Sequence, residues 1–98
     1  MPVMMIRYQA AEAGAAELAA AISALFTELR AKQPAGMRYA YYRAVERPEW
    51  VALLELDEPD HNPLLALETG RALQAVVAKW AVGEKPAPQP LTVLGAYG

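Results

Sequence analysis

The twenty residues 37 to 56, "MRYAYYRAVERPEWVALLEL", constrain this chain more than any other stretch of its sequence. Side chains of an extended strand alternate between its two faces, so a strand lying on the surface shows apolar and polar residues in turn. Here aromatic and aliphatic residues occupy both parities, with Tyr41 and Tyr42 adjacent in one half and Leu53 and Leu54 in the other. A ribbon of this kind has no side designed for water. The fold is therefore expected to cover it twice, the alternative being that Arg38, Glu46, Glu55 and Asp57 make one face a solvated one.

The ribbon reads as a hairpin with strands near 37 to 46 and 49 to 58, turning around Arg47 and Pro48. A tight turn at Glu46 to Glu49 sets Val45 opposite Trp50 and pairs residues whose numbers sum to 95. One face then carries Met37, Tyr39, Tyr41, Arg43 and Val45 with Trp50, Ala52, Leu54 and Leu56. The other carries Arg38, Ala40, Tyr42, Ala44 and Glu46 with Val51, Leu53, Glu55 and Asp57, which puts Arg38 across from Asp57 and diagonal to Glu55.

The flanking segments supply partners for this ribbon. Residues 3 to 9, "VMMIRYQ", form a short, largely apolar run suited to a strand covered on both faces. From Ala15 to Lys32 the period changes: Leu18, Ile22, Leu25, Phe26 and Leu29 recur at helical spacing, and "QPAG" at 33 to 36 ends the helix. Asn62 before Pro63 marks a helix start, and Thr69 marks another beyond it. A short helical piece, a jog near Gly70 and a longer helix are expected, with Leu73, Val76, Val77 and Trp80 on the buried stripe. A proline-rich connector, 83 to 90, leads to a last strand, "LTVLGAYG".

Strand, helix, strand, strand, helix, strand in 98 residues implies one α+β domain spanning 1–98: a ferredoxin-like βαββαβ fold, with a four-stranded antiparallel sheet and both helices on one face. Right-handed connections place the third strand between the first and second. Helices cover one face only. The remaining face, with Tyr42, Val51 and Leu53, would be an exposed apolar patch of a size monomers rarely keep, so a homodimer through sheet faces is expected.

Charge and composition exclude other classes. Nine Lys and Arg against eleven Asp and Glu give a net charge of −2, with the basic residues scattered, so no nucleic acid partner is expected. The absence of cysteine removes disulfides, thiolate metal sites and a cysteine nucleophile. No run approaches the roughly 18 apolar residues of a membrane span, and the N-terminal residues lack a basic leader. No membrane association and a cytoplasmic location are therefore expected.

The run "QPAGMRYAYYRAVERPEWVALLELDEPD", followed by "LETGRALQAVV", resembles the antibiotic biosynthesis monooxygenase family of the dimeric α+β barrel superfamily. Gly36, Tyr41, Arg43, Pro48, Trp50 and Glu55 stand at positions matching that pattern. The resemblance implies a homodimer with facing sheets and a pocket in each subunit between sheet and helices. It also implies an activity among those of the family, which include cofactor-independent oxygenases of polycyclic phenols and haem-degrading oxygenases. Arg71 occupies the place where haem-degrading relatives carry their axial histidine, and Arg7 replaces an asparagine of the first strand. No cofactor is expected.

Several side chains are candidates for chemistry. Tyr39, Tyr41, Trp50 and Trp80 can line a pocket for a small aromatic ligand, with Arg43 or Arg71 orienting an anionic or phenolic group; the alternative is that the aromatics are ordinary core. Tyr8 and Tyr97 share that ambiguity. His61, the only histidine, is a candidate general base or relay at a pocket mouth, or else an exposed loop residue beside a helix cap. Arg71 is the second catalytic candidate. No metal site is expected, because His61 with Asp57, Glu58 and Asp60 offers too few convergent ligands. Glu55 is expected to pair with Arg38, and Ser23 and Thr27 have no histidine partner for nucleophilic catalysis.

Overall fold

A computed structural model describes residues 3–83 and 86–97. Glu84 and Lys85 of the connector and Gly98 of the expected last strand lie outside the described residues. The elements are β1 (Val3–Ala10), α1 (Ala15–Lys32), β2 (Met37–Arg43), β3 (Glu49–Leu56), α2 (Glu68–Trp80), β4 (Ala81–Val82) and β5 (Gln89–Leu91). The strands form one antiparallel sheet in the order β2-β3-β1, with β4 and β5 both pairing β1. This is the expected ferredoxin-like arrangement, with the third strand between the first two.

Ala15–Lys32 is helical as its periodicity predicts, and the chain leaves the helix through Gln33 in the left-handed region at φ 46°. Gly36, at φ 82°, then turns the backbone into β2. The hairpin differs from expectation in its turn. Residues 44–48 form an open five-residue loop closed by the Ala44 N–H donating to the Glu49 carbonyl at 2.9 Å, and the pairs run Met37 with Leu56 to Arg43 with Trp50. The register is thus two residues from the expected one, so Arg38 faces Glu55 and not Asp57. A shift of two preserves parity, and every side chain keeps its expected face.

Met4, Ile6 and Tyr8 of β1 share the helix-facing side with Tyr39, Tyr41, Trp50, Ala52 and Leu54. Against it pack Leu18 and Leu25 of α1 and Leu73 of α2, all buried. The antiparallel helices are tied at both ends. Glu17 accepts from Trp80 Nε1 and Lys79 Nζ, each at 3.0 Å, while Glu28 accepts from the Thr69 hydroxyl at 2.5 Å. Those donors hold both carboxyls below the usual carboxylate range, Trp80 and then Lys79 acting on Glu17, Thr69 and then Lys32 on Glu28.

Three further expectations need correction. Thr69 does not cap α2; the helix begins two residues earlier than expected, at Glu68, with Leu67 extended at its N-cap, and Thr69 spends its hydroxyl on Glu28. The jog falls at Leu67 and not at Gly70, after a 3-10 turn, Pro63–Ala66, that Asn62 does cap through its side chain to the Leu64 N–H at 3.0 Å. The fourth strand arrives in two pieces. Six residues, 83–88, separate Val82 from Gln89, whereas their partners Gln9 and Met5 are separated by only three, and residues 92–97 continue as exposed irregular chain.

Candidate functional site

The fourth strand is broken opposite the middle of β1, pairing it at Gln9 and Ala10 and again at Val3 to Met5. Pro86 and Pro88 of its connector join one wall of a cavity of about 570 Å³ between sheet and α2. Ile6, Tyr39, Tyr41, Ala52 and Leu54 form its sheet side, and Leu25 closes it from α1. From α2 come Gly70, Arg71, Gln74, Ala75 and Ala78, spaced three or four apart as one helical face requires, together with Leu73 and Val77. Asn62 and Leu64 complete the rim. Gly70 matters sterically here, since a methyl group at that position would overlap the Leu64 carbonyl oxygen.

The cavity is mostly apolar, and its few polar groups have definable roles. The Tyr41 and Tyr8 hydroxyls are hydrogen-bonded at 2.5 Å. Tyr39 stacks on Phe26 at 5.3 Å between ring centroids and meets Tyr41 edge to face at 6.0 Å. Its hydroxyl has no hydrogen-bond partner among the described residues. Burial pushes all three phenols above their ordinary value of 10.0; for Tyr41 the bond to Tyr8 adds to the rise, whereas for Tyr8 that bond opposes it. They are proton donors at neutral pH and not bases. Arg71 is held at the rim by its own Nη1, which donates to the Leu65 carbonyl at 2.9 Å. Among the described residues lining the cavity there is no carboxylate and no histidine.

The structure thus brings together Tyr39, Tyr41 and Arg71. Arg43, Trp50 and Trp80 lie elsewhere. Arg43 caps the buried Trp50 ring, its guanidinium carbon 4.9 Å from the centroid, and reaches Glu12 at 3.4 Å beyond the far end of the helix-facing side. Both were expected on the wall because they share the face of Tyr39 and Tyr41, but Trp50 is buried in the core and Arg43 lines a separate hollow of about 530 Å³ beside the 44–48 loop. Trp80 fills the hollow above Gly14 and bonds Glu17. His61 is exposed and does not line the cavity; its neighbour Asn62 does. Sequence reasoning passed over Gln74, whose signal was its place three residues after Arg71, and it read Asn62 only as a cap. Among the described residues no group of three or more His, Cys, Asp or Glu is placed to hold a metal ion. With Arg71 at the rim and no histidine in the lining, the donor set does not fit histidine-ligated haem.

No family model matches the sequence, and no curated protein matches it. Solved structures do. The chain is similar to an antibiotic biosynthesis monooxygenase at a TM-score of 0.78 and 11% identity, covering 97% of this chain and 100% of that one. It is similar to Rv0793 from Mycobacterium tuberculosis at 0.72 and 21%, with both chains covered at 100%. SnoaB, a cofactor-independent oxygenase from Streptomyces nogalater, superposes at 0.68 and 15%, covering 97% of this chain and 94% of its own. The fold is therefore that of the antibiotic biosynthesis monooxygenase structures, as the residues suggest; at such identities the chemistry rests on the side chains.

Proposed function

We propose that this chain is a cofactor-independent monooxygenase-like protein acting on a small aromatic phenol or quinol held between sheet and helices. The observation that carries the proposal is the cavity itself: about 570 Å³, within the range of small-molecule sites, walled by aliphatic and aromatic groups and provided with a few fixed donors. The likeness to structures that include a cofactor-independent oxygenase supports it. In such a reaction the substrate supplies the electrons: a phenol C–H becomes a quinone C=O, dioxygen gives one atom to the product, and the other leaves as water. The protein's task is then to orient the ring and to stabilise negative charge on the phenolic oxygen through Tyr41, Tyr39 and Arg71. Electrode measurements with naphthols and quinols test this. Oxygen uptake above the protein-free rate is expected, and Tyr41→Phe should lower kcat/KM by about tenfold for loss of one donor in the transition state. Uptake at the protein-free rate for every ring tried would reject it.

One observation favours a second reading, a non-catalytic dimeric module that binds a small ligand or a partner: the described lining residues include no group that accepts a proton at neutral pH. Ligand-induced rise in melting temperature without oxygen uptake would select it.

The same proposal includes a homodimer through sheet faces. On the face away from the helices Val3, Met5, Ala40, Val51 and Leu53 are only partly covered, and Tyr42 is 54% exposed. The charges among them are paired within the chain, Arg7 with Glu49 at 2.8 Å and Arg38 with Glu55 at 3.3 Å, which lowers the cost of covering them. Among the described residues no helix is long and apolar enough to cross a membrane; a cytoplasmic location is part of this reading.

A further inference from the structure

The polar groups of the cavity are unequally divided between donors and acceptors. Arg71 contributes a guanidinium with five N–H groups and no acceptor, of which one nitrogen is engaged by Leu65. Tyr39 offers a hydroxyl without a partner among the described residues, and of the bonded hydroxyls of Tyr8 and Tyr41 only one proton is used in their mutual bond. Asn62 spends its acceptor oxygen on the Leu64 N–H, so the end of its amide left over is the NH₂. Acceptors are fewer: the Gln74 amide oxygen is uncommitted among the described residues, and the Tyr39 hydroxyl can accept as well as donate. The single formal charge on the described lining is positive, and it stands at the exposed rim while the interior is apolar.

A ligand complementary to such a site is rich in acceptors at one end and apolar at the other. We propose that the cavity selects an aromatic ligand already in its anionic form, with a carboxylate or ionised phenolic oxygen at Arg71 and its ring against Ile6, Tyr39, Ala52, Leu54 and Val77. This inference deepens the functional reading above and rests on the same cavity. It explains how a site without a proton acceptor among its described residues suits a ring acidic enough to ionise in solution: the charge is present on arrival, and the protein stabilises it. Arg71 is here a binding residue. Its attachment to the Leu65 carbonyl sets the guanidinium in place before the ligand enters, which reduces the ordering cost of binding.

Calorimetric titration at pH 8.5 with 2-naphthoate, 4-nitrophenolate and the neutral 2-naphthalenemethanol tests the proposal without turnover. At least one of the two anions should bind about tenfold or more tightly than the neutral alcohol, the gain of one charge-assisted bond. Arg71→Met should abolish that preference, and Arg71→Lys should retain part of it. Preference for the naphthoate alone assigns a carboxylate, and preference for the nitrophenolate alone assigns an ionised phenol. Equal binding of anions and alcohol, an unchanged preference in a folded Arg71→Met protein, or no binding of any probe would overturn the inference. The oxygenase reading fails separately: anion selectivity without oxygen uptake removes the activity and keeps the site, whereas oxygen uptake with no preference for anions does the reverse.

Discussion

The hydroxyls of Tyr8 and Tyr41 bridge adjacent cavity and core positions, joining β1 to β2 across β3 at 2.5 Å. Tyr8→Phe leaves the Tyr41 oxygen short of a partner in a half-buried place and should lower the unfolding free energy by about 1 kcal/mol, read from urea denaturation. Because burial raises the folded-state values of Tyr8, Tyr39 and Tyr41, their contribution to stability is present below 10.0 and is lost as the pH rises through the raised values. Ultraviolet titration should show these three phenols ionising later than free tyrosine. Gln33 offers the opposite case. Held at φ 46° beyond the end of α1, it occupies a conformation that costs a residue with a Cβ but not glycine. Gln33→Gly should stabilise the protein by about 0.5 to 1 kcal/mol, the strain relieved exceeding the added freedom of the unfolded chain.

At the level of elements, the two ties between α1 and α2 are carboxylates with donors from the opposite helix. Both have lowered folded-state values, so their stabilisation is fully present above 4.5 and disappears as the pH falls through those values. Thr69→Val should therefore lower the denaturation midpoint at pH 7, and by progressively less as the pH falls below 4.5 through the lowered value of Glu28. Gly70→Ala should cost about 1 to 3 kcal/mol by pushing the Leu64 turn off the helix, and it should also reshape the cavity rim. Much of this level was legible in the sequence. Parity alone sorted the hairpin side chains onto their faces, and the spacing of Leu18, Ile22, Leu25 and Leu29 sufficed for α1. The register was not legible, because nothing in "AVERPE" distinguishes a tight turn from a five-residue loop until the Ala44 to Glu49 bond is seen. Thr69 misled for a related reason: a hydroxyl at a helix start serves equally well as a cap or as a donor to a neighbouring helix, and only packing decides.

For the whole molecule, the layered order could be derived from element sequence and chain handedness; the family resemblance implied a cavity between sheet and helices, but which residues line it could not be derived. Its location depends on where α2 stands off the sheet and on the break in the fourth strand, neither of which leaves a periodic signal; hence Tyr39, Tyr41 and Arg71 converge while Trp50 and Arg43, on the same sheet face, do not. The uncovered sheet face gives the prediction proper to this scale. Leu53→Asp, placed on the central strand opposite Met5 and Ala40, should convert a species of twice the chain mass into one of single mass in sedimentation at micromolar concentration, with the far-ultraviolet dichroism retained. A wild-type chain already sedimenting at single mass would dispose of the face-to-face assembly. Finally, the tether between β4 and β5 has three residues more than the stretch of β1 it passes, and it is anchored at both ends by separate ladder bonds. Lengthening or shortening that tether should retune the size of the guest the cavity admits, while the sheet beneath keeps its alignment.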